Sequence, residues 1–90
     1  MKLNSDYRLR EIAGQYLLIY EGTGTVDMSA VYSFSESAAW MWQRCEGRRF
    51  TEDQMVRWLL DEYEVGEDIA REDVKLMIES WTEYGFLKEK

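Results

Sequence analysis

The 90-residue chain has no histidine, a single cysteine and far fewer positive than negative charges. Lack of histidine removes the commonest general base, the usual activator of a serine or cysteine nucleophile and the commonest metal ligand, so catalytic triads are excluded. Zinc needs about four ligands, and Cys45 has neither a second cysteine nor a histidine to join it. No cofactor is expected. The same cysteine can form no internal disulfide and falls on an apolar helical stripe, which points to a free, buried, inert thiol in the reducing cytoplasm.

Eleven Lys and Arg against eighteen Asp and Glu leave a net charge of −7, which repels the phosphates that supply most nucleic-acid affinity. Nucleic acid is not an expected partner. Unbroken apolar runs such as Tyr16 to Tyr20 stop far short of the ~18 residues that cross a membrane, so no membrane partner is expected either. Met1 to Arg10 mixes Lys2, Asp6, Arg8 and Arg10 with isolated apolar residues and has no secretory h-region. The chain is read as mature and cytoplasmic. Its length fits one domain over residues 1–90, with most apolar residues sharing one core and little left for a deep cavity.

Leu9 to Ala13 and Gln15 to Tyr20 are rich in aromatic and β-branched residues around the turn Ala13-Gly14-Gln15, which predicts a hairpin. After Gly22 and Gly24, read as hairpin glycines, Met28, Ala30, Tyr32 and Phe34 alternate with Ser29, Val31 and Ser33, giving a third strand over about 28–34. The period then changes. Ala38, Met41, Trp42 and Cys45 share one face of a helix over about 35–46, N-capped by Ser35 and stopped at Gly47.

Thr51 and Gln54 have capping-box spacing, and Phe50 and Met55 that of a hydrophobic staple. They start a second helix over about 51–63, with Met55, Val56, Leu59, Leu60 and Tyr63 as its buried stripe. A third helix over about 69–84, N-capped by Asp68, turns Val74, Met77, Ile78 and Trp81 to one side, with Gly85 at C′ and Phe86 at C″ able to touch Trp81. Three strands followed by three helices make an α+β fold in which helices cover one face of a small antiparallel sheet. A three-stranded meander leaves edges that must be defended or used for strand addition.

The eighteen carboxylates fall mostly between apolar helical positions, as solvated faces do, and the densest set (Asp61, Glu62, Glu64, Glu67, Asp68) lacks calcium-loop spacing. Gly22 and Gly24 precede neither a Lys nor a helix start, so they cradle no phosphate. Arg44, Arg48 and Arg49 form the basic cluster, read as solvated surface. Four Trp, six Tyr and three Phe exceed what so small a core holds, so some aromatics should lie on a binding surface, Trp58 sooner than Trp42.

Four segments in order carry a resemblance: Phe34-Ser35-Glu36-Ser37-Ala38-Ala39, Cys45-Glu46-Gly47-Arg48-Arg49, Ala70-Arg71-Glu72-Asp73-Val74 and Tyr84-Gly85-Phe86-Leu87. Together with Leu9-Arg10-Glu11-Ile12-Ala13-Gly14 and Tyr16-Leu17-Leu18-Ile19 they resemble the PqqD family, named for coenzyme PQQ synthesis, over about Leu9 to Leu87. The family usually has Leu-Asn before its first helix where this chain has Phe34-Ser35; serine caps as well as asparagine.

The resemblance implies a winged-helix-like RiPP recognition element, a non-catalytic peptide chaperone that binds the leader region of a precursor peptide and presents it to a modifying enzyme, often a radical SAM protein. In such domains the leader adds to the third strand and lies against the third helix. Here that implies Ser29, Ala30, Val31, Tyr32, Ser33 and Phe34, together with Val74, Met77, Ile78 and Trp81. A winged-helix DNA-binding regulator is the second reading. Against it, Asp73 to Trp81 carries Lys75 as its lone positive charge beside Asp73 and Glu79. The third reading is a subunit that pairs an open sheet edge with itself in a homodimer.

Overall fold

The turn between two of the strands fixes the register of the main sheet. In the computed structural model, which describes residues 1–21 and 31–89, β1 (Lys2–Leu3) is followed by β2 (Tyr7–Ile12), β3 (Gln15–Tyr20) and β4 (Val31–Phe34). Strands β2, β3 and β4 form an antiparallel meander in that order. Between β2 and β3 the turn residues are Ala13 and Gly14, at φ 53° and 79°, so Gln15 pairs with Ile12 and belongs to the strand. Two successive positive φ values make a type I′ turn, whose twist matches that of the strands it joins. The hairpin is longer than the sequence suggested, because Tyr7 and Arg8 continue the alternation opposite Tyr20 and Ile19.

Ala13 pays for this turn, since its Cβ crowds the backbone in the left-handed region by about 1–2 kcal/mol, whereas Asn tolerates it and Asn-Gly is the favoured pair. Ala13→Asn is therefore expected to stabilise the fold by roughly 0.5–1 kcal/mol, a rise of about 2–8 °C in melting temperature. A calorimetric scan showing no rise would mean that the turn is not strained.

Helices α1 (Glu36–Cys45), α2 (Glu52–Glu62) and α3 (Glu67–Glu83) follow the sheet. The Ser35 hydroxyl accepts from Ala38 N–H at the start of α1. Thr51 and Gln54 exchange both bonds of a capping box at α2. Phe50 and Met55, the staple positions, are fully buried. The start of α3 differs from expectation. Gly66 is its N-cap with no side-chain bond, and Asp68 lies inside the first turn, where a carboxylate still favours the positive end of the helix dipole.

The other end of α3 is a Schellman stop. Gly85, at φ 79°, lets Phe86 N–H reach the Trp81 carbonyl at 2.8 Å while Gly85 N–H reaches that of Thr82 at 3.2 Å. The chain then enters β5 (Leu87–Glu89), which pairs antiparallel with β1 in a second, two-stranded sheet. These strands are too short to show an alternating pattern, and their partners stand at opposite ends of the sequence. Local reading had no signal for them.

One face of the meander, carrying Leu18, Tyr7, Leu9, Tyr32 and Phe34, packs against Met41, Trp42, Met55, Val56, Val74 and Trp81 of the helices. Full burial of each such side chain is worth ~1.5–3 kcal/mol. Tyr63, expected on the buried stripe of α2, is instead that helix's C-cap and is exposed, because the helix ends before its ring reaches the core. Gly22, Gly24 and the first half of the expected third strand, Met28, Ser29 and Ala30, lie outside the described residues.

Candidate functional site

β4 is an edge strand: it pairs with β3 on one side and, among the described residues, with no strand on the other. Backbone groups of an antiparallel strand point alternately toward its two sides. Glu21 N–H donates to the Asp6 carbonyl at 2.7 Å, and Ile12–Gln15 closes the two-residue turn, so the odd-numbered residues of β3 bond to β2. Tyr16 and Leu18 bond to β4, where their partners are Phe34 and Tyr32. It follows that Val31 and Ser33 turn their N–H and C=O groups to the open side.

Beside this edge runs a groove of about 750 Å³, walled by β4 and α3 and lined also by Leu59 of α2 and by Tyr63 and Val65 just after it. Core aromatics make its floor. Phe34 stacks on Trp81 with ring centroids 6.2 Å apart and planes 11° from parallel. Phe86 meets Tyr32 at 5.1 Å and Tyr84 at 5.6 Å, and Tyr32 meets Tyr84 at 5.2 Å. Such pairs add about 0.5–1.5 kcal/mol each beyond buried area, which holds the rings in place.

The rim is apolar and wet. Leu76 is 54 % exposed and Tyr84 50 %, although both border the groove. Asp73 is the charged side chain among the lining residues, and the remaining polar ones are Ser33, Ser35, Ser37, Ser80 and tyrosines. Cationic side chains gather elsewhere, in a second cleft of about 570 Å³ lined by Lys2, Arg8, Arg10 and Arg48. Arg44 and Arg48 lie over the rings of Trp40 and Trp58 at 5.2 and 5.5 Å.

The chain's cysteine does not line the groove. Cys45 is buried away from it, and burial pushes its thiol up to about 12, against the opposing pull of Arg48; the reactive thiolate is scarce at neutral pH. Among the described residues no group of three or more His, Cys, Asp or Glu side chains is placed to hold a metal ion. None of the helices described is long and apolar enough to cross a membrane.

An exposed sheet edge is the kind of surface to which an extended peptide can add as a further strand. The family model described as coenzyme PQQ synthesis protein D (PqqD) matches residues 8–87. The chain belongs to the PqqD family. Two solved structures share the fold of this PqqD-family chain. One is TbiB1 in complex with the TbiA(beta) leader peptide, with a TM-score of 0.75 and 19 % identity over 100 % of this chain and 98 % of that one. The other is a lasso peptide synthetase B1 complexed with the leader peptide, with a TM-score of 0.71 and 21 % identity over 98 % and 96 %. No curated protein matches the chain.

Of the residues implied by the family resemblance, Tyr32, Ser33, Phe34, Met77 and Trp81 line the groove of this PqqD-family chain. Val31 is half-buried and does not line it, and Ser29 and Ala30 lie outside the described residues. Val74 has no exposed surface and serves the core. Ile78 is half-buried off the groove.

Helix geometry accounts for the split. At about 100° per residue, Tyr84, Asp73, Ser80 and Leu76 fall roughly 80–160° to one side of Val74, and Ile78 falls about 40° to the other. These flank residues are the ones missed by attention to the apolar stripe. Leu76, an apolar residue standing off that stripe, was their signal in the sequence.

Proposed function

We propose that this chain is a single, non-catalytic recognition domain that binds the leader region of a ribosomally made precursor peptide. The leader adds as a fourth strand along the open edge of β4, with its inward side chains in the groove against α3. The observation that carries this reading is the juxtaposition of outward-facing Val31 and Ser33 backbone groups with a groove floored by Phe34, Trp81 and Phe86. Family membership supports it, as do two proteins of the same fold complexed with leader peptides. The bound leader is presented in the cytoplasm to a separate modifying enzyme, a radical SAM protein or another enzyme that acts on the precursor.

A DNA-binding regulator would need a basic helix to meet phosphates, and α3 has Lys75 and Arg71 against six carboxylates from Glu67 to Glu83. The test titrates the chain with synthetic N-terminal segments of the short peptides encoded beside its gene, and with duplex DNA at low salt. Saturable binding of one such segment is expected, without measurable DNA affinity. Micromolar or tighter DNA binding with a steep salt slope would sink the peptide-only reading.

A further inference from the structure

We propose that the groove selects for a lysine or arginine, so that its partner is an extended peptide combining apolar anchors with one basic residue seated beside Asp73. This rests on the peptide-binding reading above. Asp73 is the acidic side chain that lines the groove, and its companions there are hydroxyls, aromatic rings and aliphatic side chains. A peptide carboxylate at this place would meet a like charge with no cation to relieve it. An ammonium or guanidinium would instead meet an opposite charge in an otherwise uncharged groove.

The helix keeps its own cations away from this site. At about 100° per residue, Arg71 and Lys75 fall roughly 60–100° to the side of Val74 opposite Asp73. Arg71 is held by Asp53 at 3.0 Å and by Glu67 at 3.5 Å. Among the described residues Asp73 forms no ion pair within the chain. Before binding, water solvates its carboxylate. A strand laid along β4 displaces that water, which lowers the local dielectric and strengthens whatever charge contact replaces it. At longer range the −7 charge of the whole chain draws in a basic peptide and repels an acidic one.

A displayed library of random twelve-residue peptides, panned on the wild-type chain and on Asp73→Asn and Asp73→Lys, tests the inference, with melting curves to show that all three are folded. The wild-type pool should share apolar anchors plus Lys or Arg at one fixed distance from them. With Asp73→Asn the anchors should remain and the basic preference fade, and a peptide chosen on wild type should bind about three- to tenfold more weakly. With Asp73→Lys the same position should turn to Asp or Glu.

Anchors without a basic position in the wild-type pool would overturn the inference and leave peptide binding intact. Basic enrichment that persists unchanged on Asp73→Lys would overturn it too, by tracing the preference to the overall charge. Failure of wild type to enrich any peptide, or enrichment that survives Leu76→Asp, would remove the groove reading itself.

Discussion

Tyr32→Pro is expected to unfold the chain, and Ser33→Pro, one residue on, to leave it folded but deprived of its peptide. Proline deletes a backbone donor and is tolerated in a strand where that donor faces open solvent. Tyr32 points its N–H to Leu18 of β3, so its replacement leaves a ladder acceptor unmet and also removes a ring packed against Tyr7, Tyr84 and Phe86. The combined loss is about 3–5 kcal/mol, a large part of the ~5–15 kcal/mol that keeps a domain folded. Circular dichroism should show a melting transition lowered by tens of degrees or lost.

Ser33 points its N–H away from the sheet, its side chain is exposed, and proline there keeps the extended backbone that Tyr32 already has. The melting curve should hardly move. A peptide paired with β4 loses one main-chain bond and meets the proline ring where it would approach, a cost of roughly 1 kcal/mol or more, or at least about fivefold in Kd. If Ser33→Pro binds as tightly as wild type, the peptide does not add to this edge.

Leu76→Ala is expected to weaken peptide binding by about 1–3 kcal/mol, the range of an apolar anchor at an interface, while changing stability by no more than about 0.5 kcal/mol. Leu76 stands on the groove rim with over half its surface in water, and alanine suits a helix as well as leucine does. Phe86→Ala provides the contrast. Its ring is 2 % exposed and meets Tyr7, Tyr32, Phe34, Trp42 and Tyr84, so truncation should cost about 3–5 kcal/mol of folding free energy. Calorimetry of both variants, with and without peptide, separates the two roles. Equal destabilisation by the two changes would show that Leu76 belongs to the core after all.

What was legible in the sequence was whatever leaves a local trace. The capping box of Thr51 and Gln54, the cap at Ser35 and the Gly85-Phe86 stop are set by residues within a turn of one another, and each forms as the spacing demanded. The three-stranded meander was readable from the aromatic and β-branched residues of β2 and β3, the turn between them and the alternation through β4.

The small sheet of β1 and β5 was not legible, because Leu3 and Leu87 pair from opposite ends of the sequence. Nor was the division of α3 into a core stripe and a groove flank. Hydrophobic periodicity reports which residues avoid water and is silent on which side of them a neighbouring strand will stop. Leu76 and Tyr84 face outward beside β4 because the sheet covers Trp81 and, among the described residues, no further element covers the flank.

The aromatic floor divides the entropy of recognition unevenly. Phe34, Trp81 and Phe86 are fixed by ring contacts with one another's neighbours and with Trp42, so the receiving surface has little rotamer freedom left to lose. An incoming flexible peptide must surrender nearly all of the order the complex requires, at roughly 1–2 kcal/mol per residue fixed in an extended conformation. Affinity is then governed as much by how readily the free peptide extends as by what it touches. Two peptides with the same side chains in the groove, one already stiffened into a strand-like shape and one not, would be told apart by a floor whose packed rings have little freedom to give up.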